Sequence, residues 1–443
     1  MDHDVINAFV ENLCNHFNFT NESVKCNVRK HSENLLRDGD MSFPLYYTMT
    51  NFKENETNCE LPTAAILESS VTSDSISESD SKELNLKEQL TSLKEASATW
   101  KLRIEKCEIQ RNRVVIYFQK DYTFRTTLRN VLQEQHLYGS CQKRKQGIVI
   151  EASVSEGDDM DLSQLRVKYL KDFAVRAAKQ SGYNTFDSSE ACDCIGFVLT
   201  TKSSKDLPDR MKAVICGAVV NAKSRTKETD MLAKEYLRLR ENDMRTAALH
   251  KYGTAVEGGD KWNSLISSLG EAAVKMEMLK VKPSQTVSLS LESDYKVSRE
   301  RSSKGATFVL YNYARITSIL KQFHEKEEKK LYPTLLTLDE IDFASLKCDE
   351  EWQLLHFIIV YPSIVNSLGN DLEKGILKPH VICIFLSAMC KTFSVYYRRI
   401  RILREPRQHL FPTMCARIYL LKALQITLQS SLHLMGIDTV NQM

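Results

Sequence analysis

Leu420, Leu424, Leu428 and Leu432 recur every fourth residue near the end of the chain, and Leu421 and Met435 widen the ridge into a broad apolar face. A ridge of that period is an amphipathic helix that must bury one side against something else. Gly436 follows where a helix can end on a left-handed residue, and Ile437 can fold back onto the last turn. The segment from Gly305 has the same period, with Val309, Tyr313, Ile316, Leu320 and Phe323 on one face. Residues 352–368 and 379–397 add further apolar helical patterns. Pro362 is expected to kink or bound the first, and Pro379 suits the first turn of the second. The pattern predicts an all-α bundle of about five helices over 305–443.

Charge is distributed unevenly. The net charge of the 443-residue chain is only +3, too little to argue for nucleic-acid binding by itself. Between Lys391 and Lys422, however, Lys391, Arg398, Arg399, Arg401, Arg404, Arg407, Arg417 and Lys422 face the single acid Glu405. Tyr396 and Tyr397 stand at the head of this stretch. Cations mixed with aromatic faces suit a folded RNA, whose phosphates and splayed bases need both.

The start, MDHDVINAFVENLC, is acidic and lacks the basic opening of a secretory signal. The apolar runs over 354–365 and 381–389 are interrupted and fall short of the roughly 20 residues a membrane helix needs, so no membrane partner is expected. Twelve cysteines without a C-x-x-C pair predict reduced thiols and a cytoplasmic protein.

Five regions are expected. Residues 1–60 carry helical signals over 5–17 and 24–36. Residues 61–98 include the acidic, serine-rich ESSVTSDSISESDSKE and are expected to be a linker. Residues 99–145 form a small α/β unit with a β-rich run at 114–118 and a helix over 124–132. Residues 146–300 alternate strand and helix: GIVIEASV, an amphipathic helix over 162–181, strands at 195–199 and 213–220, then a charged helix over 228–251. Residues 301–443 are the helical module.

Familiar catalytic signatures are missing. The sequence has no G-x-x-x-x-G-K-[ST], no G-x-G-x-x-G, no H-E-x-x-H and no G-x-S-x-G. His356 and His433 sit inside apolar helical patterns, where a satisfied or surface-edge histidine is expected. No cofactor and no metal site is expected.

The segments FVLYNYARITSIL, EWQLLHFIIVYPSIV, TFSVYYRR and MGIDTVNQM, in that order, resemble the DALR anticodon-binding domain of arginyl-tRNA synthetases across 305–443. The middle of the chain resembles the same enzymes in degenerate form. A strand like GIVIEASV there leads into the His-x-Gly-His signature of class I synthetases. Here Asp161, Ser163 and Gln164 replace the first histidine, the glycine and the second histidine, while Leu165 and Arg166 remain. Lys223, Ser224, Arg225 and Thr226 resemble the second signature loop. The whole chain resembles the DALR anticodon-binding domain-containing protein 3 family.

This resemblance implies a multidomain fold: a degenerate class I synthetase-like α/β region followed by an all-α helical-bundle anticodon-binding domain. It implies a non-catalytic chain, since the imidazoles and glycine that hold ATP phosphates through adenylation are gone. It implies arginine tRNA as a partner, contacted by Tyr397 and Met443, with Arg398, Arg399, Arg401, Arg404 and Arg407 adding phosphate contacts. Arg398 departs from the acidic or small residue often found there in the family. A tRNA 3-methylcytidine methyltransferase is the implied protein partner. The unit over 100–132, with Arg111, Arg113, Lys120, Arg125 and Arg129, resembles the synthetases' N-terminal extra domain, which touches the tRNA elbow. A divergent active arginyl-tRNA synthetase and a protein-only helical scaffold remain the alternative readings.

Overall fold

The computed structural model describes residues 4–17, 27–45, 75–154, 159–186, 194–201, 211–253, 259–291 and 305–440. Two compact units are present: Val5–Thr126, and Thr127–Met443 together with Met1–Asp4.

The first unit contains α1 (Val5–His16), β1 (Arg29–Lys30), α2 (Leu35–Asp38), β2 (Met41–Pro44), α3 (Ser75–Ala96), β3 (Ile104–Gln110) and β4 (Arg113–Phe118), and α4 (Lys120–Glu134) crosses its boundary. The sheet order is β1-β2-β4-β3, antiparallel throughout. Arg111 and Asn112, at φ 48° and 60°, make the tight β3–β4 turn, whose left-handed pair matches strand twist. The core is aromatic: Phe9 meets Trp100 and Phe118 edge-on at centroid distances of 5.3 and 4.9 Å. The buried Asp40 carboxylate accepts from Phe118 N at 2.7 Å.

This arrangement changes three expectations. Residues 1–60 and 99–145 are not separate, because β2 pairs with β4, Met41 opposite Ile116. The helix expected over 24–36 is replaced by β1 and the short α2, while 18–26 lie outside the described residues. The linker expected over 61–98 contains α3; residues 61–74 lie outside the described residues. Leu86 and Leu93 in α3 are buried, an apolar stripe that the serine-rich start of the helix conceals.

The second unit opens with β5 (Gly147–Ala152), α5 (Leu162–Gln180), β6 (Asn184–Phe186), β7 (Cys194–Thr200) and β8 (Met211–Ile215), which form a parallel sheet of order β6-β5-β7-β8. Next come β9 (Val219–Asn221), α6 (Ala233–Tyr252), α7 (Asp260–Leu279) and β10 (Val287–Leu289), with β9 and β10 paired in parallel. The strand expected over 213–220 is divided between β8 and β9. It breaks at Gly217, where the backbone passes so close to Gln285 that a Cβ would lie 2.3 Å from Gln285 O.

The helical module comprises α8 (Ala306–Glu328), α9 (Asp349–Glu373), α10 (Pro379–Arg399) and α11 (Phe411–Leu434). Among the described residues it has four α-helices and a 3-10 turn at Phe343–Ser345 rather than five helices. Pro362 lies inside α9 and does not bound it. Proline has no N–H for the carbonyl four residues back, which is Ile358 O. The buried Tyr138 hydroxyl donates to that oxygen at 2.8 Å and replaces the missing donor. α10 is, by length and composition, apolar enough to cross a membrane. Here its Ile382, Leu386, Met389 and Phe393 are fully buried in the bundle. At the end of α11, Gly436 adopts φ 64°, Ile437 N donates to Leu432 O at 3.0 Å, and Ile437 is buried, as the sequence pattern requires.

Candidate nucleic-acid interface

The end of α10 separates two adjacent tyrosines. Tyr396 points inward, fully buried, and donates to Glu351 Oε1 at 3.0 Å. Glu351 also accepts from Arg417 Nε at 2.8 Å and, through Oε2, from Cys348 N at 3.1 Å. Burial, and then the neighbouring Glu351 charge, push the Tyr396 hydroxyl pKa far up, so it stays protonated. This buried set fixes the last turn of α10, so Tyr397 is turned outward and is 39% exposed.

Tyr397 does not stand alone. Arg315 of α8 places its guanidinium carbon 4.5 Å from the Tyr397 ring centroid and 4.5 Å from that of Tyr311. Its Nη2 also donates to the Tyr311 hydroxyl at 2.8 Å. Tyr311 is 38% exposed. The result is a surface stack of ring, guanidinium and ring. Such stacks suit unpaired bases, which are held by π faces and guanidinium planes.

The remaining expected residues divide by environment. Arg398 is exposed and donates from Nε to Ser394 O at 3.3 Å. Arg401 is exposed, and Arg404 is half-buried with its Nε on Arg401 O at 3.0 Å. None of these three forms an ion pair among the described residues. Arg399 is ion-paired to Glu350, and Arg407 to Glu405 at 2.8 Å. Met443 lies outside the described residues. Arg417, counted with the surface cations by position, is a core residue bound to Glu351. Tyr311 and Arg315 were missed by sequence reasoning, although their i, i+4 spacing in YNYAR puts them side by side on a helix.

At the start of α5 the residues in the signature positions serve structural ends. Asp161 is the N-cap: its Oδ1 accepts from Gln164 N at 2.7 Å, and Gln164 Oε1 accepts from Asp161 N at 3.1 Å. This reciprocal pair fills the helix N-terminus with the chain's own carboxylate. Ser163 Oγ accepts from Val219 N at 3.0 Å. Lys227 Nζ lies 3.6 Å from Asp161 Oδ2. Arg166 is fully buried and donates to Gly217 O, Gln285 O, Lys282 O and Met278 O at 2.5, 2.6, 3.0 and 3.3 Å. Burial lowers its pKa to about 10, so the guanidinium is charged at neutral pH and answered by carbonyl dipoles. The Lys223–Thr226 segment is an exposed turn with Arg225 at φ 59°. Among the described residues no group of three metal-ligating side chains occurs.

The family description of the DALR anticodon binding domain matches residues 309–443. Over these residues the chain is similar to DALR anticodon binding domains. A DALR anticodon-binding domain-containing protein 3 from Danio rerio is 33% identical over 239 residues, 52% of this chain and 42% of its own length. One from Rattus norvegicus is 31% identical over 253 residues, 55% of this chain and 45% of that protein. The matched region is thus less than half the length of these relatives. An arginine–tRNA ligase from Haloquadratum walsbyi is 26% identical over 185 residues, 42% of this chain and 29% of the ligase. In fold, the chain is similar to the Thermus thermophilus arginyl-tRNA synthetase, with a TM-score of 0.63 at 11% identity over 99% of this chain and 100% of that one. The Plasmodium falciparum arginyl-tRNA synthetase gives 0.58 at 10% identity, with 98% of each chain covered. The architecture is therefore an α/β region, similar in fold to those synthetases, followed by a helical region that matches the DALR domain. The Tyr311–Arg315–Tyr397 stack lies within that matched region.

Proposed function

We propose that the chain binds arginine tRNA through its DALR domain, does not charge it, and acts in the cytoplasm as the specificity partner of a tRNA 3-methylcytidine methyltransferase. The observation that carries the binding reading is the Tyr311–Arg315–Tyr397 stack, with both rings exposed, together with Arg398, Arg401 and Arg404, which form no ion pair among the described residues. Rings and guanidinium supply base contacts worth about 1–3 kcal/mol each, and the arginines supply the salt-dependent phosphate term. Met443 belongs to the same reading through the family resemblance, as a loop contact, and the ion-paired Arg399 and Arg407 as further phosphate contacts.

The loss of charging is supported at α5. Adenylation needs donors aimed at the developing phosphate charge. At the matching positions this chain has the Asp161 carboxylate, a serine committed to Val219 N, and a glutamine closing the cap. A negative charge at that helix N-terminus opposes phosphate binding. The methyltransferase role follows from the resemblance and from the gain in selectivity when a second protein supplies tRNA contacts.

Filter binding of arginine tRNA against other tRNAs, with ATP–pyrophosphate exchange and methylation assays on the same preparation, tests this reading. Selective binding, no arginine-dependent exchange, and methylation of arginine tRNA that depends on the chain are expected. Exchange with arginine would restore the active-synthetase reading. Equal weak binding of every tRNA would leave a protein-only scaffold.

A further inference from the structure

The helices α6 and α7 lie outside the residues matched to the DALR domain, yet the end of α6 and the start of α7 continue that region's aromatic surface. Tyr252 ends α6 and is 37% exposed. Its ring centroid lies 5.3 Å from that of Trp262, in the first turn of α7, at 49° between planes. Lys251 places Nζ 4.7 Å from the Tyr252 ring centroid and 5.4 Å from that of Tyr311. The pairwise contacts run Trp262, Tyr252, Lys251, Tyr311, Arg315, Tyr397: a ring pair, then cations between the rings of Tyr252, Tyr311 and Tyr397.

Among the described residues, Tyr252, Tyr311 and Tyr397 are the most exposed tyrosines, and all three lie in this line. A ring pair that only stapled the two helix ends would need Tyr252 and Trp262, but not the Lys251 bridge to Tyr311. Lysine on a flexible stem can leave a ring face for a phosphate while a base takes its place.

We infer that Tyr252 at the end of α6 and Trp262 at the start of α7 form a second stacking position for single-stranded RNA. Tyr252 and Trp262 hold a loop nucleotide next to those on the Tyr311–Arg315–Tyr397 stack, and Lys251 meets the phosphate between them. The inference rests on the DALR surface binding an RNA loop.

The test uses the full chain and an arginine-tRNA anticodon stem-loop carrying 5-iodouridine in its loop. Affinity and photo-crosslinks are measured for wild type, Y252A/W262A, Y252F/W262F and R315A/Y397A, with thermal midpoints as the folding control. The alanine pair is expected to weaken binding about 10-fold, as loss of one stacked base does. The phenylalanine pair, which keeps the π faces, is expected to bind within about 2-fold of wild type by the same reasoning. Wild-type crosslinks at Tyr252 or Trp262 are expected. Unchanged affinity in the alanine pair, with weakened binding in R315A/Y397A, overturns the Tyr252–Trp262 contact and leaves the DALR reading standing. Equal loss in the alanine and phenylalanine pairs overturns stacking. A wild-type chain that does not bind the stem-loop overturns both readings.

Discussion

Arg417 Nε donates to Glu351 Oε1 at 2.8 Å, with the Glu351 side chain fully sealed from solvent and that of Arg417 only 9% exposed. This pair lies under the last turn of α10 and holds Tyr396 inward, which turns Tyr397 outward. Removing one partner leaves a buried charge unanswered. E351A should lower unfolding free energy by about 3–5 kcal/mol in urea titration. Replacing both, E351L with R417M, should recover only part of that loss: no buried charge remains, but the Tyr396 hydroxyl and Cys348 N lose their acceptor. A cost for E351A below about 1 kcal/mol would mean that water reaches the site.

The Tyr138 hydroxyl and the Ile358 carbonyl form a second dependency, created by Pro362. Y138F should destabilise by about 1–3 kcal/mol, the range for leaving one buried acceptor unmatched. Restoring the helical N–H with P362A should shrink the cost of Y138F, and a double-mutant cycle measures the coupling. Additive effects would show that the two positions act independently.

Alkaline pH should weaken the fold. Burial raises the Cys216 thiol pKa to about 11 and that of Cys383 to about 12. Unfolded thiols ionise near about 8.5. The folded chain therefore holds protons that the unfolded chain releases between these values. The stability these thiols contribute is intact below about 8.5 and is lost as pH rises toward the folded values. Urea midpoints should be level from pH 7 to 8 and fall between 9 and 11. C216A with C383A should flatten that fall.

Salt dependence reads out the phosphate contacts. In R398A/R401A/R404A, the slope of log affinity for arginine tRNA against log salt should become shallower by about 2 if the three meet phosphates, at roughly 0.7 per contact. An unchanged slope would move the phosphate contacts to another face of the chain.

Local pattern made much of this architecture legible. The leucine ridge of α11, its Gly436 ending, the buried run of β5 and the amphipathic face of α5 are each written within a few turns of chain. Three features were not legible because their cause lies far away in sequence. Pro362 is accommodated by Tyr138, more than 200 residues earlier. Arg417 sits in a basic stretch but is drawn inward by Glu351. β2 belongs with β4 across the whole 61–98 interval. Of the interface, Tyr397 and the exposed arginines were visible as a cationic, aromatic stretch. Arg315 was not singled out, because its role comes from helix packing that brings α8 beside α10.

The central claim is that this chain selects arginine tRNA. Parallel binding curves for arginine tRNA and an unrelated tRNA, at one fixed near-physiological salt, test it most directly. The account predicts at least about a tenfold preference for arginine tRNA, the discrimination that one hydrogen-bonded base edge can add to sequence-tolerant stacking. Equal affinity for both tRNAs would contradict it.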